Sequence, residues 1–431
     1  MTLSRRAFLG AAASAAAAAR QARAVHAAPA TDQPDWAWVR AQFDLAPDWM
    51  HFSSFFLASH PRPVREEIER IRQAIDRDPF AFVEHGLFER PRAVREAAAR
   101  YLGGQAEEVA LTRSTTEGLA LVYAGLPLAA GDEVLTTTHE HYSHHEAIRL
   151  AAGRAGAGVQ KVSLYDDART ATAAGMVERL RRAIRPATRV VGITWVHSST
   201  GVKTPVRAIA DALALANHGR TEAERVLLIV DGAHGLGVED ADVAALGCDF
   251  FCAGTHKWML GPRGTGIVWG RESVWPRLRP TIPAFEIGSF AAWAEGRDPG
   301  PTRAAAMSPG GFQAFEHLWA LPAAFQLHQR IGRPRIAARL RRLNARLNAG
   351  LSDIRGVTVH TPPGADVAAA LVCFDVAGVK PEEVVRRLHA RRIVASAAPY
   401  PVSYARLAAS LVNTPTEVEA AIGAVAAIAR L

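Results

Sequence analysis

Two short apolar runs, each ending in a polar cluster, constrain the fold of this chain more than any other feature. Val226–Val230 leads into Asp231–His234, and Asp249–Cys252 leads into Thr255–Lys257. Apolar runs of this length are typical of buried parallel strands in an α/β sheet. Because open α/β sheets bind ligands beside the carboxyl ends of their strands, an acid, two histidines and a lysine are predicted to share one crevice.

Lys257 is the candidate nucleophile of this crevice. A lysine has an ordinary pKa of about 10.4, so its surroundings must make it a neutral amine before it can attack. Its position in the sequence alone is equally consistent with an ordinary surface lysine that follows a strand. The sequence GPRGTG at 261–266 predicts a tight return into another strand at Ile267–Trp269, which would hold the lysine rigidly.

Segment 225–270 resembles the cofactor-lysine region of class V aminotransferase-fold enzymes, which use pyridoxal 5′-phosphate (PLP). The strand, the His-Lys pair and the Gly-Pro-x-Gly-x-Gly turn match. Within this cysteine desulfurase-like superfamily, DGAH and the tryptophan after the lysine are most similar to the isopenicillin N epimerase-like branch. The resemblance implies that Lys257 forms the Schiff base with PLP and that Asp231 pairs with the pyridinium nitrogen, which makes the ring an electron sink. It also implies that His234 lines the ring and the substrate side.

The fold that the resemblance implies is α/β, the aspartate-aminotransferase-like fold type I of PLP-dependent transferases. We expect a mostly parallel sheet in a large domain at 31–330 and a small C-terminal α/β domain at 331–431. A chain of 431 residues with 49% apolar and 21% charged residues is globular and long enough for both. Five prolines within 271–306 predict a long loop there.

Residues 1–30 predict a twin-arginine signal peptide. Arg5 and Arg6 precede an alanine-rich, weakly apolar run with possible cleavage sites. A mitochondrial-type leader and a plain N-terminal helix are the alternatives. We expect a periplasmic protein that is exported folded, without a stable membrane span after signal removal, because the run is too short and too rich in alanine.

Charge and cysteine content argue against several other functions. The formal charge of +8 owes half of its excess to arginines of the first thirty residues, and no basic stripe with interleaved aromatics indicates nucleic-acid binding. The three cysteines are dispersed in apolar surroundings, which favours core positions over a disulfide or a metal site. His141 and His145 are four residues apart, but without an H-E-x-x-H frame or a third soft ligand we expect no metal.

The segment at 111–126 predicts a strand followed by a helix that begins near Glu117. Ser114, Thr115 and Thr116 would stand at its N-terminus, where hydroxyl and N–H groups bind anions, although an ordinary Ser/Thr N-cap is the simpler explanation. The segment is similar to the phosphate cup of the same family. This implies Thr115 and Thr116 as phosphate ligands, with Ser114 possible where the family has glycine.

Further cofactor contacts follow from the resemblance. His141 matches the position whose ring stacks on PLP, and Tyr142 is the alternative. Ser198 matches the residue that reaches the PLP 3′-oxygen, with His197 and Ser199 as alternatives. Two residues before the lysine, Thr255 and His256, would add phosphate contacts, unless His256 is an ordinary core histidine.

The same family resemblance implies the substrate site. SYARLAASLVNTPTEVE at 403–419 resembles a family signature whose arginine, here Arg406, binds the substrate carboxylate. A guanidinium holds a carboxylate with two parallel bonds, which lysine cannot do. Phe52–Ser59 would lie at the mouth of the site. The turn Gly310–Phe312 would cross to a partner subunit, so we expect a homodimer with shared active sites.

These features predict a PLP-dependent enzyme that acts on an α-amino acid, epimerase-like or C–S/C–C lyase-like. Desulfurases carry a catalytic cysteine shortly before the arginine, whereas IVASAAPYPV at 393–402 has none, so persulfide chemistry is not expected. A class V aminotransferase is the alternative, and a catalytically inactive PLP-binding protein is the alternative of another class. A nicotinamide dehydrogenase is excluded because no G-x-G-x-x-G follows the first strand.

Overall fold

The computed structural model describes residues 33–430, and the signal peptide predicted at 1–30 lies outside this range. Asp35–Leu431 form one compact unit, so the division into two domains at 330 stays a prediction. Among the helices of residues 33–430, none combines the length and the apolar character needed to cross a membrane.

The strands are β1 Met50–His51, β2 Val109–Thr112, β3 Glu133–Thr137, β4 Gly158–Val162, β5 Thr188–Thr194, β6 Leu227–Asp231, β7 Phe250–Gly254, β8 Gly266–Gly270, β9 Val357–Val359, β10 Val372–Val376, β11 Ile393–Val394, β12 Ser396–Ala397 and β13 Ala405–Leu407. The α-helices are α1 Trp36–Arg40, α2 Arg62–Arg77, α3 Pro79–Gly86, α4 Glu89–Leu102, α5 Thr115–Gly125, α6 Tyr142–Ala155, α7 Ala173–Ala183, α8 Val206–Ala216, α9 Ile287–Ala294, α10 Phe315–Ile331, α11 Arg333–Ser352, α12 Pro381–His389 and α13 Pro415–Ala429.

The central sheet has the strand order β2-β8-β7-β6-β5-β3-β4, and every strand in it except β8 runs in the same direction. The apolar runs predicted as strands at Val226–Val230 and Asp249–Cys252 correspond to β6 and β7, which pair in parallel at the centre of this sheet. The return after them forms the antiparallel pair β7–β8. The predicted α/β architecture with a mostly parallel sheet is therefore confirmed.

Helices cover both faces of the central sheet. On one face, Leu119 of α5 and Ile148 of α6 pack in a cluster with Ile229. On the other face, Ile209 of α8 packs in a cluster with Val230. Each fully buried leucine or isoleucine contributes about 1.5–3 kcal/mol, so the two faces hold the sheet as a rigid base for the residues at its edge.

A smaller antiparallel sheet, β12-β13-β10-β9, lies in the C-terminal part of the chain, and β1 pairs in parallel with β11. Leu343 of α11 and Val425 of α13 share its core with Phe374 and Phe52. The backbone of Phe52 also accepts a hydrogen bond from Ala408 at 2.9 Å. The segment around residue 52 is thereby held beside Arg406, which lies on β13.

Helix α5 begins two residues earlier than predicted. Ser114 is extended and caps the helix, because its Oγ accepts a hydrogen bond from the backbone N of Glu117 at 3.1 Å. The Glu117 carboxylate reaches back to the backbone N of Arg113 at 2.6 Å. The cap places Thr115 in the first turn of the helix.

The long loop predicted at 271–306 is a departure from the expectation. This segment contains α9 and two 3₁₀ turns, at Glu272–Arg277 and Ala304–Met307. Prolines exclude long helices there but permit short ones that have their own caps. Glu286 caps α9 by accepting hydrogen bonds from the backbone N atoms of Gly288 and Ser289.

Candidate active site

Asp231 lies at the carboxyl end of β6, in the middle of the central sheet. The residue is only 4% exposed, and its Oδ1 accepts a hydrogen bond from the backbone N of Ala233 at 2.9 Å. Within residues 33–430, its Oδ2 has no hydrogen-bond partner. Burial raises the pKa of Asp231, whereas His144, the N–H of Ala233 and Lys257 act in the opposite direction. A carboxylate oxygen that accepts no hydrogen bond from these residues suits a charged N–H donor of a ligand.

Lys257 follows β7 and faces the same space. Its Nζ lies 3.1 Å from Nε2 of His234. Burial lowers the pKa of Lys257 to about 8, although the carboxylate of Asp231 opposes this shift. At pH 7 a minor fraction of the side chain, roughly a tenth, is therefore the uncharged amine that a nucleophile must be.

Trp258, the residue after the lysine, selects the tautomer of His234. Its indole N–H can only donate, and it lies 3.4 Å from Nδ1 of His234. Burial lowers the pKa of His234 well below its ordinary value, so the ring is neutral and carries its proton on Nε2. That proton then points at Nζ of Lys257, which accepts it only as a neutral amine. The Trp258–His234 pair thus stabilises the reactive form of the lysine.

The N-terminus of α5 faces the end of β7. Thr115 Oγ1 accepts a hydrogen bond from the backbone N of Gly254 at 2.7 Å. A Cβ on Gly254 would come within 2.9 Å of the His256 ring and 3.3 Å of the Thr115 hydroxyl. The first N–H groups of a helix have no acceptor within it, and they attract anions. His256 and Thr115 thus both pack against Gly254, beside the helix N-terminus that also carries Ser114 and the exposed Thr116.

Thr255 does not join this group. The residue is fully buried, and its hydroxyl donates to the carbonyl oxygen of Thr265 at 3.1 Å. Its backbone oxygen accepts from Gly261 at 2.7 Å. Thr255 therefore braces the turn that holds Lys257, and its hydroxyl is not available for the predicted phosphate contact.

His141 lies between β3 and α6, on the side of the crevice formed by those elements. It caps α6, and its Nδ1 lies 2.9 Å from Oγ of Ser143. Burial lowers the pKa of His141, with Asp231 acting against the shift. Tyr142 is 71% exposed, so of the two residues predicted to stack on a ring, His141 is the one that lines the crevice.

Arg406 closes the crevice from the smaller sheet. Its Nε donates to Ser396 Oγ at 3.1 Å and its Nη2 to the carbonyl of Ala397 at 3.0 Å. Its Nη1 donates to the carbonyl of Ser198 at 2.9 Å. Three of the five guanidinium N–H groups are thus used, which leaves one on each terminal nitrogen. The guanidinium carbon lies 4.9 Å from the ring centre of Phe55, within the segment predicted at the mouth.

The Ser198 hydroxyl lies 2.7 Å from Oη of Tyr400. Ser198 therefore has a protein partner at the edge of the crevice, rather than a side chain free for a cofactor oxygen. The alternative His197 is fully buried, and its Nδ1 lies 3.0 Å from Oη of Tyr165. Ser199 is also buried. Sequence reasoning missed Tyr400, because a single aromatic residue in a proline-containing loop carries no periodic or motif signal.

A buried polar network behind the sheet edge was also missed. Glu140 accepts a hydrogen bond from Thr194, which pairs with Asp231 across β5 and β6. Nδ1 of His144 lies 3.0 Å from Glu140, close but poorly aligned for a hydrogen bond, and Nε2 of His144 lies 2.8 Å from Oη of Tyr123. Burial opposes ionisation of Glu140, but His144, His197 and Thr137 together outweigh it and hold the pKa of Glu140 below its ordinary value. The i, i+4 spacing of Glu140 and His144 was the available signal.

The cysteines are all buried. Cys373 lies on β10 directly opposite Arg406 on β13. Burial raises the pKa of its thiol to about 12, so it stays protonated at neutral pH. No group of metal-ligand side chains occurs within residues 33–430.

The crevice fits PLP on observations that are independent of any family resemblance. Lys257 offers an amine of lowered pKa to an aldehyde, and Asp231 offers its second carboxylate oxygen to a pyridine N–H. The N–H groups at the α5 N-terminus offer an anion site for a phosphate. Arg406 keeps two N–H donors for a carboxylate.

Comparisons with known proteins agree with this fit. The profile of the Aminotransferase class-V family matches residues 85–408, well over half of the chain. Isopenicillin N epimerase from Amycolatopsis lactamdurans is 28% identical over 367 residues, which cover 80% of this chain and 87% of that protein. A probable cysteine desulfurase from Halalkalibacterium halodurans is 29% identical over 312 residues, covering 70% and 71% of the two chains.

Solved structures share the fold. The cystine C–S lyase C-DES, solved with its product cysteine persulfide, superposes with a TM-score of 0.78 at 22% identity, covering 88% of this chain and 98% of that one. The cysteine desulfurase of Thermococcus onnurineus NA1 gives a TM-score of 0.78 at 21% identity, with coverages of 95% and 100%. These likenesses confirm the predicted PLP-dependent transferase fold.

Proposed function

Because this chain belongs to the class V aminotransferase family of PLP-dependent enzymes, we propose that it removes the Cα proton of an α-amino acid with Lys257 and works as an epimerase. One observation carries the proposal. A buried lysine with a pKa of about 8 lies 3.1 Å from a neutral histidine and shares its crevice with a buried acid and a buried arginine.

The binding residues act from three sides. The α5 N-terminus with Thr115 and Thr116 would hold the phosphate of PLP, and Asp231 Oδ2 would accept the pyridine N–H. When bound, PLP is the electron sink that makes the Cα proton of an attached amino acid removable. His141 supplies a flat imidazole from the β3–α6 side. Burial keeps this ring uncharged at neutral pH, so it does not compete with the pyridine for Asp231.

Arg406 orients the substrate. Its two remaining N–H groups, one on each terminal nitrogen, match the two oxygens of a carboxylate. The three bonds to Ser396, Ala397 and Ser198 hold the guanidinium plane before substrate arrives, so little side-chain entropy is lost on binding. A carboxylate held there fixes the position of Cα relative to Lys257.

Lys257 performs the proton transfer. Its uncharged form accepts the Cα proton, and the Nε2–H of His234 holds the amine in line through the bond that Trp258 selects. A base whose pKa lies near the working pH is the most effective, and about 8 satisfies this condition. Return of a proton on the other face of Cα inverts the amino acid.

A C–S lyase is the second candidate, because relatives named cysteine desulfurase align over most of this chain. The same deprotonation would then expel a sulfur substituent from Cβ. The buried, protonated Cys373 argues against sulfur transfer to a protein thiol. The product would accordingly be a free sulfur species, and the fate of Cβ distinguishes the two candidates.

The spectrum of the purified protein tests the proposal. We expect a visible absorbance band from bound PLP that shifts when single L-amino acids are added. Chiral chromatography then detects the D-amino acid of an epimerase, and sulfide or persulfide assays detect a lyase. A colourless protein that takes up no added PLP would contradict both candidates.

We further propose a homodimer in which the turn Gly310–Phe312 reaches the partner's site. Phe312 is 83% exposed, and Gly310 packs so closely on Phe285 that a Cβ would come within 2.5 Å of that ring. The turn is therefore held in one position at the surface. Sedimentation equilibrium should give twice the chain mass, and Phe312→Ala should weaken the dimer. A monomer with full PLP content would contradict the proposal.

We also propose export of the folded, PLP-loaded protein by the twin-arginine route. The support is the sequence at 1–30, with Arg5 and Arg6 before an alanine-rich run. Replacing both arginines by lysine should retain the protein in the cytoplasm, as detected by immunoblotting of periplasmic fractions. Equal periplasmic amounts of variant and wild type would contradict this route.

A further inference from the structure

Tyr400 borders the crevice, and none of the roles above uses it. It lies on the loop between β12 and β13 and is half-buried. Its Oη is 2.7 Å from Oγ of Ser198, and its ring meets the ring of His141 edge-on, with centres 6.0 Å apart. The charges that act on its hydroxyl are those of the site, Asp231 and Arg406, together with Glu140 behind it.

A continuous series of contacts joins Lys257 to Tyr400. Lys257 contacts His234, whose ring centre is 6.2 Å from that of Phe55. Phe55 lies under the guanidinium of Arg406, which bonds the Ser198 backbone. The Ser198 side chain then contacts the Tyr400 hydroxyl.

Lys257 and Tyr400 are the two ends of this series, and Arg406 is one of its members. An amino acid whose carboxylate is held by Arg406 is thus flanked by contacts that lead to an amine in one direction and to a phenol in the other. Tyr400 also contacts His141, which comes from the β3–α6 side, whereas Lys257 comes from the end of β7. The two groups approach the substrate from different elements of the fold.

We propose that Tyr400 is a catalytic residue that transfers a proton to the face of Cα opposite Lys257. This inference rests on the proposed epimerase function and completes it. Lys257 takes the proton from one face, and the phenol O–H gives its proton to the other face, forming a new C–H bond as the O–H bond breaks. The substrate keeps its atoms, Lys257 gains a proton and Tyr400 loses one. Solvent water then restores both groups.

The surroundings of Tyr400 suit this step. Burial raises the pKa of its phenol, so the group holds its proton at neutral pH and begins as an acid. Ser198 is placed to donate to the phenolate that remains, and its backbone oxygen is bonded to the Arg406 cation. A general acid is effective when the conjugate base that remains after proton transfer is stabilised.

Tyr400→Phe in the PLP-loaded protein tests the inference, with Tyr404→Phe as the matched control. Tyr404 lies on the same loop and stacks on His360, outside the site. L-Alanine and L-cysteine are incubated in D₂O, and the two enantiomers are separated. We expect Tyr400→Phe to keep exchanging the Cα hydrogen with retention, within a few-fold of wild type, while the D-enantiomer forms at least ~100-fold more slowly. Tyr404→Phe should match wild type in both.

Two readouts besides turnover separate proton transfer from binding. The visible PLP band and the borohydride-fixed link to Lys257 should be unchanged in Tyr400→Phe. The dissociation constant of 2-aminoisobutyrate, an amino acid without a Cα hydrogen, should change less than about threefold. Ser198→Ala, which removes the partner of the phenol, should slow inversion by about tenfold and spare exchange.

Three results would overturn the inference. The first is equal loss of exchange and inversion in Tyr400→Phe, and the second is tenfold weaker binding of 2-aminoisobutyrate, since either makes Tyr400 a positioning residue. The third is a wild-type enzyme that exchanges the Cα hydrogen but forms no D-enantiomer. That result would exclude inversion by Tyr400 and would still be consistent with PLP-dependent removal of the Cα proton. A wild type without a visible band would instead overturn the proposed function itself.

Discussion

The two walls of the crevice are built in different ways. The lysine wall, formed by Asp231, His234 and Lys257, projects from adjacent parallel strands of the central sheet. The arginine wall, formed by Ser198, Tyr400 and Arg406, joins the end of β5 to the smaller antiparallel sheet, and its hydrogen bonds span about two hundred residues of chain. Both walls are buried and polar.

The two walls differ in the property of the site that each one controls. In the lysine wall, burial and neighbouring groups set the protonation of a neutral imidazole and a partly neutral amine, so its output is chemical. In the arginine wall, the guanidinium remains a cation, and its three hydrogen bonds set a direction, so its output is orientation. Substitutions in the lysine wall should affect turnover, whereas substitution of Arg406 in the arginine wall should affect substrate affinity.

Lys257→Ala should have the largest effect. It removes both the amine that bonds PLP and the Cα base, so activity should fall by at least about 10⁴-fold. Borohydride reduction followed by mass spectrometry should find no PLP-labelled peptide, whereas the exposed Lys161→Ala retains it. A labelled Lys257→Ala chain would place the nucleophile elsewhere.

Asp231→Asn should lower activity by about 10²–10³-fold, because a neutral amide cannot stabilise a charged pyridine N–H. The visible band should lose its protonated-ring form, and the thermal stability of the apo-protein should not fall, since burial disfavours the carboxylate. Stopped-flow spectra of the loaded protein check this. Activity within tenfold of wild type would remove the chemical role of the lysine wall.

Arg406→Ala should raise KM by about 10²-fold with a smaller change in kcat, since loss of a buried, hydrogen-bonded carboxylate partner costs about 2–5 kcal/mol. The position of the PLP band should stay unchanged. The surface variant Arg391→Ala is the control. If a simple amine without a carboxylate were weakened equally, Arg406 would not be the carboxylate anchor.

Trp258→Phe should have the smallest effect of these substitutions. It tests directly whether the lysine wall sets the protonation state of Lys257. In wild type, PLP uptake by the apo-protein should accelerate as the pH rises through about 8, because uptake needs the neutral amine of Lys257. Without the indole N–H, His234 can accept a hydrogen bond from protonated Lys257, so the lysine pKa rises and the midpoint moves upward.

Stopped-flow absorbance between pH 6.5 and 9.5 measures this shift, which we expect to slow uptake a few-fold at pH 7.5. Trp49→Phe, whose indole contacts the ring of His389 with centres 4.6 Å apart, controls for loss of an indole. A midpoint that stays or moves downward would mean that Trp258 does not set the tautomer of His234.

Some residues of the site could be predicted from the sequence, and the roles of others could not. Asp231 and Lys257 were predictable because they end neighbouring apolar strands, and parallel strands bring such ends to one edge. The roles expected for the hydroxyl groups of Thr255 and Ser198 could not be predicted in this way. Each occupies the expected place along the chain, but the hydroxyl found a partner in Thr265 or Tyr400 that no local pattern specifies.

Sequence by itself determined the mostly parallel α/β sheet, the lysine, acid and arginine of the site, and the absence of an accessible desulfurase-type cysteine before Arg406. Apolar run length and strand-end polarity act over a few residues, so they can be read along the chain. Tertiary structure alone decided that Trp258 selects the tautomer of His234 and that Tyr400 contacts Ser198 and His141. Both are contacts between side chains distant in sequence, and their direction depends on how two sheets pack.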